Sequence, residues 1–225
     1  MTRLTEKFPA LPYVGPFAVF IVLLGAQNTL HINAKWEYPL RVLIVCGILW
    51  LVSRGVITKR PVRPLASMVV GILVFIIWIA PDWISPSYRS HWLFENALLG
   101  AAKTSLPTEV RASIGFLVFR LFGTAFLVPV IEELFWRGWL MRYLINADFQ
   151  KVPLGSYSAT SLFLTALLFA SEHGSYWDVG LVAGLIYNWW MLRTQSLPDC
   201  IIAHGVTNAC LGIFVIAGGR WEYWL

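Results

Sequence analysis

Eight polar residues interrupt the apolar runs in the second half of this chain: Arg120, Glu132, Glu133, Arg137, His173, Asn188, His204 and Asn208. An ionisable side chain at membrane depth costs on the order of 2.5–3.5 kcal/mol on insertion scales, so each marks a functional position by default. Most fall into three short patterns: Glu132-Glu133-Leu-Phe-Trp-Arg137, Phe169-Ala-Ser-Glu-His173 and His204-Gly-Val-Thr-Asn208. On a helix, Glu133 and Arg137 are i,i+4 with the glutamate on the N-terminal side, the favourable order for an ion pair. Glu132 is turned about 100° away from Glu133, and its own i+4 neighbour is the uncharged Trp136. One glutamate therefore has a built-in partner and the other does not. A carboxylate without a local countercharge is the one available to exchange a proton with water.

His204 and Asn208 are also i,i+4, and Phe169 and His173 share a helix face in the same way. Each pattern alone has a structural reading. Glu132, Glu133 and Arg137 would make one buried ion-pair network with Arg120 as a fourth member, His173 would be a structural or interfacial residue, and His204 with Asn208 an interhelical clasp. Together, a carboxylate, two imidazoles and a carboxamide from three helices can activate water and stabilise an oxyanion. Glu132, His173 and His204 are also a zinc-type donor set with an open position, although no HExxH is present. A serine mechanism has little to stand on, because "LGSYS" (154–158) reads as a loop. The rival class is a non-catalytic transporter, immunity or scaffold protein using the cluster as a proton relay or clasp. It would call for a continuous polar path or inverted repeats, and the sequence shows no repeat.

The elements that must position these residues are apolar helices. Hydrophobic residues make up 58% and charged residues 13%, with mean hydropathy +0.67, against about 45–50% and about 25% in a soluble domain. This predicts an all-α polytopic membrane helix bundle forming one integral membrane domain over 1–225. Segments 11–30, 38–53, 66–81, 112–130, 131–147, 158–173, 178–195 and 198–218 are the candidate spans, about eight in all. The 112–147 region has an alternative reading as one long helix kinked at Pro129. The stretch 82–111 reads as a surface segment with an interfacial helix near 91–102.

The net charge of +5 fits basic cytoplasmic loops and anionic lipid. There is no aromatic-interleaved basic patch, and no nucleic-acid partner is expected. "SRGVITKRPVR" (53–63) holds four cations and no acid, so this loop is assigned to the cytoplasm. Two helices precede it, which places the N-terminus inside as well, in agreement with Arg3 and Lys7. The first apolar run is signal-like, but the many spans that follow favour a retained helix in a multi-pass inner-membrane protein. Cys200 and Cys210 would lie roughly 15 Å apart on one helix, too far for a disulfide; all three cysteines read as packing residues.

The three patterns, in this order and on apolar helices, resemble the CAAX-protease and bacteriocin-processing (Rce1-like, Abi) intramembrane protease family, whose pattern is EExxxR, FxxxH and HxxxN or HxxxD. Gly138 after the arginine is also usual there. The resemblance covers about 115–215 and implies a protease core at 112–218. It implies that Glu132 activates the attacking water with His173 assisting, that His204 and Asn208 stabilise the oxyanion, and that Glu133 and Arg137 support the site. It leaves open whether zinc takes part. It implies a membrane-protein or lipidated-peptide substrate. The compact size also resembles a bacterial subgroup that accompanies exosortase-type protein sorting.

A simple up-and-down path puts Glu132 and His173 near one end and His204 toward the other. The site closes only at mid-depth, or if "HGSYWD" (173–178) dips into the membrane. The expectation is that Glu132, His173, His204 and Asn208 meet around a water-accessible cavity.

Overall fold

The computed structural model describes residues 6–224 apart from 28, 30, 31, 58, 59, 98 and 105. Arg3 and Lys59, two of the basic residues noted in the sequence, lie outside the described residues. The described residues are all-α, with no strand beyond an isolated Asn96–Gly100 bridge.

Seven helices of ten residues or more are seen among them: α1 Leu11–Ala26, α2 Ala34–Ser53, α3 Pro64–Ile84, α4 Ile114–Tyr143, α5 Ala159–Ser171, α6 Trp177–Thr194 and α7 Leu197–Gly218. Four of these, α2 from Lys35, α3, α4 and α7, are long and apolar enough to cross a membrane.

The spans expected at 112–130 and 131–147 are a single 30-residue helix, α4. It contains two wide turns, one at Gly123–Leu127 just before Pro129 and one at Leu134–Leu140. In the first, the Val128 N–H reaches the Gly123 carbonyl, five residues back. Such expanded turns let a helix continue past an interruption and recur at functional sites. Among the described residues of 91–102 the expected interfacial helix is not formed. That segment is held instead by short turns at Tyr88–Ser90 and around the Asn96–Gly100 bridge, with scattered polar side chains and too few apolar ones for a helical face. The signal-like first run is helix α1, packed on α2 and the second wide turn of α4 through contacts such as Phe17 against Phe135 and Trp136.

The starts of α5 and α7 are capped by Ser158 and Ser196, and Asn33 caps α2, each side chain satisfying an otherwise orphaned N–H. Gly219, at φ +63°, ends α7 in the left-handed conformation. Helices α3 and α7 run parallel and in close contact. At Gly71 a Cβ would come within 2.3 Å of the Ala203 carbonyl, and the Thr207 hydroxyl lies 2.8 Å from the Gly71 carbonyl. Cys200 is buried against Met191, and all three cysteines are free.

Candidate active site

The α4 stripe Arg120, Thr124, Val128 and Glu132 recurs every four residues, so these side chains stack along one face. They form one wall of a cavity of about 180 Å³. The opposite wall is His204, Thr207, Asn208 and Leu211 from α7, and the remaining lining includes Trp78, Phe169, His173, Tyr187, Tyr223 and Trp224. The fold thus brings Glu132, His173, His204 and Asn208 to a common space, as the three patterns predicted. Residues 174–176 leave α5 as a tight turn in which Ser175 and Tyr176 are buried, with Gly174 at φ +50°.

The two glutamates have different surroundings. Glu133 is 0% exposed and Glu132 is 9% exposed. The Arg137 guanidinium donates to Glu133 Oε1 at 2.9 Å, to Asn188 Oδ1 at 2.9 Å and to the Gly184 carbonyl at 3.2 Å. Asn188 passes the connection on, donating to the Leu162 carbonyl at 2.8 Å. One arginine fork therefore ties α4 to α6, and Asn188 ties α6 to α5. Glu132 has no such partner: its Oε2 is buried with no hydrogen bond among the described residues, and its side chain lines the cavity.

Both imidazoles are fixed through Nδ1. His173 Nδ1 lies 2.8 Å from the Phe169 carbonyl. A carbonyl only accepts, so Nδ1 carries the proton and Nε2 carries the lone pair. His204 Nδ1 lies 2.9 Å from Glu133 Oε1, which fixes its tautomer in the same way, by the arrangement that orients catalytic and metal-ligating histidines. The phenylalanine of the FxxxH pattern has a packing role too. Its ring lies 4.8 Å from His173 and 5.9 Å from His204, within reach of both imidazoles, and Arg137 sits 4.8 Å over it. Tyr187 stacks on His204 at 5.1 Å, and its hydroxyl donates to Thr207 at 2.7 Å.

Asn208 is placed by the interruption in α4. Pro129 has no N–H, so carbonyls one turn back lose a helical donor. Asn208 Nδ2 donates to the Thr124 carbonyl at 2.8 Å. At Gly205, a Cβ would stand 2.8 Å from the Ala125 carbonyl. The glycine inside the HGVTN pattern thus lets α7 lie directly against the widened turn. The second N–H of the Asn208 carboxamide remains for a ligand in the cavity.

Arg120 does not join the Glu133–Arg137 network. It stands at the other end of the cavity, between the rings of Tyr38 at 4.5 Å and Trp224 at 5.5 Å. Among the described residues no carboxylate pairs with it, and its Nε is buried without a partner. Sequence reasoning missed Trp78, Tyr223 and Trp224, which lie outside the 112–218 core yet line the cavity. Twelve tryptophans in an apolar chain read naturally as interfacial belts, and nothing local separates these from the rest.

Glu132, His173 and His204 are zinc donors by type. As placed, however, no group of three or more His, Cys, Asp or Glu side chains among the described residues is arranged to hold a metal ion.

Residues 114–210 match the family model described as type II CAAX prenyl endopeptidase Rce1-like. No curated protein and no solved structure matches the chain.

Proposed function

We propose that the chain, whose residues 114–210 match the Rce1-like CAAX protease family model, is an intramembrane endopeptidase that uses glutamate-activated water, and that its cavity is the active site. The observation that carries this reading is the contrast between the adjacent carboxylates. Glu133 is consumed by Arg137 and His204, while Glu132 faces a cavity shared with His173, His204 and Asn208, its Oε2 without a hydrogen-bond partner among the described residues.

In the reaction, Glu132 takes a proton from a water held between it and His173 Nε2. The water oxygen bonds to the scissile carbonyl carbon and the carbonyl π pair moves to oxygen. Asn208 Nδ2–H, and His204 Nε2–H when that ring is protonated, donate to the resulting oxyanion, where preorganised donors are worth most. The intermediate collapses, the C–N bond breaks, and the departing amine leaves with the proton carried by Glu132. Glu133 and Arg137 hold His204 and do not touch substrate. The substrate we propose is a membrane protein or a lipidated peptide, since Glu132 is reached only within a bundle whose outer surface is apolar.

The test is comparative proteomics of newly formed peptide ends in membranes carrying the wild-type chain or Glu132→Gln. Wild type should generate ends that the variant, equally abundant and folded, does not. Identical end profiles would remove the catalytic reading.

A further inference from the structure

We propose that substrate enters from the face opposite the basic 54–63 loop, so that the enzyme cleaves polypeptides presented on the extracytoplasmic side of the membrane. This rests on the endopeptidase reading and adds the side on which the substrate must lie.

The depth of each cavity residue can be followed along the helices. The Asp199 carboxylate at the start of α7 accepts from the backbone N–H groups of Val62 and Arg63 at 2.6 and 2.7 Å. The Ser53 hydroxyl at the end of α2 donates to the Pro12 carbonyl at 2.6 Å. The starts of α1, α3 and α7 and the end of α2 therefore share one face with the 54–63 loop. The opposite face carries Asp82, about 27 Å along α3 from Pro64 at 1.5 Å per residue. There the Tyr223 hydroxyl donates to Asp82 Oδ2 at 2.9 Å, and Trp224 stacks on Arg120.

The cavity is asymmetric between these faces. On the basic-loop side its floor is closed by Glu133, Arg137 and Asn188, each 0% exposed. From Glu132 it runs along the α4 stripe to Arg120, Tyr223 and Trp224, at the level of Asp82. A peptide can approach Glu132 along this wall without displacing the buried ion pair. An approach from the other face would have to break it.

Charge gives the orientation. The segment 54–63 carries four cations and no acid, and none of its described residues makes a salt bridge. On the far face the cations Lys35, Arg41, Arg89, Lys103, Arg111 and Arg220 are spread over three segments, and Arg41, Arg89, Lys103 and Arg220 are each paired with an acid, so no loop there is as dense in Lys and Arg as 54–63. A short loop dense in Lys and Arg is retained in the cytoplasm, which leaves the mouth of the cavity outside. Tyr223 and Trp224, which line this end of the cavity, are on the same side.

The experiment uses the full chain in intact cells, in a background with Cys46, Cys200 and Cys210 replaced. Single cysteines are placed at Lys103 on the mouth face, at Lys151 on the opposite face and at Leu211 in the cavity wall. Lys103 and Lys151 are 80% and 78% exposed, and none of the three is in the catalytic set. The probe is a membrane-impermeant maleimide. Lys103→Cys and Leu211→Cys should label in intact cells at least ten-fold faster than Lys151→Cys, and Lys151→Cys should reach their level after permeabilisation. Labelling of Lys151→Cys from outside, or of Leu211→Cys only after permeabilisation, overturns the proposal. Cleavage by the purified enzyme in detergent is insensitive to orientation. Loss of the endopeptidase reading would therefore show in that assay, and loss of this proposal only in the labelling.

Discussion

His204 Nδ1 donates to Glu133 Oε1 across 2.9 Å, and the same oxygen accepts from Arg137 at 2.9 Å. The carboxylate beside the proposed catalytic one thus serves both as the arginine's countercharge and as the clamp on an imidazole. The two glutamates should therefore fail differently. Glu132→Gln is expected to fold as wild type and to lose activity by about 10²–10⁴-fold, the usual worth of a general base. Glu133→Ala leaves Arg137 buried and unpaired, a loss of about 3–5 kcal/mol. Thermal unfolding of both variants beside a cleavage assay checks this; a Glu133→Ala protein as stable as wild type would contradict the assignment.

The tautomer of His173 is set by a backbone carbonyl, whereas its ring position is set by the Phe169 side chain. Phe169→Leu keeps the carbonyl at 169 but removes the ring that touches both imidazoles. It should fold and bind, yet lower kcat on the order of ten- to hundred-fold, the scale of a misplacement near 1 Å. Phe169→Ala should in addition cost about 3–5 kcal/mol of stability. An unchanged kcat in Phe169→Leu would show that the ring has no positioning role.

Much of this is legible in the sequence. The i,i+4 spacing separated Glu133 from Glu132, and apolar continuity located the helices. What spacing could not supply was everything that depends on a second helix: the reach of His204 to Glu133, the stacking of Arg120 between Tyr38 and Trp224, and the entry of Trp78 into the wall. The merging of 112–130 with 131–147 was ambiguous for a physical reason. A proline within an apolar run either ends a helix or is absorbed by a wider turn, and the choice depends on whether a neighbour satisfies the freed carbonyls. Asn208, more than seventy residues later in the chain, does so at Thr124.

That dependence makes Pro129 testable. Pro129→Ala restores an N–H that can bond within α4 and tighten the turn at Gly123–Leu127. Helix propensity favours alanine by about 3 kcal/mol at an interior position, so stability should be unchanged or raised. Activity should fall roughly ten-fold as the Thr124 carbonyl withdraws from Asn208 and the carboxamide loses its orientation. A stability measurement and a kcat on the same preparation test it. Full activity in a stabilised Pro129→Ala protein would mean that the widened turn does not position Asn208.

Arg120 is a cation in the cavity wall with two aromatic faces and no acidic partner among the described residues. A guanidinium so placed offers a bidentate seat for a carboxylate. Substrates bearing a carboxylate near the scissile bond, at a chain end or on an acidic side chain, should depend on it. Arg120→Gln is expected to raise KM for such peptides by about ten-fold, consistent with a charge-assisted hydrogen bond worth about 1.5–3 kcal/mol, while kcat holds. Peptides with the carboxylate amidated should show nearly the same KM in both enzymes. The comparison needs four kinetic series, two enzymes against two peptides. An equal rise in KM for the acid and the amide would assign Arg120 to packing against Tyr38 and Trp224 rather than to substrate.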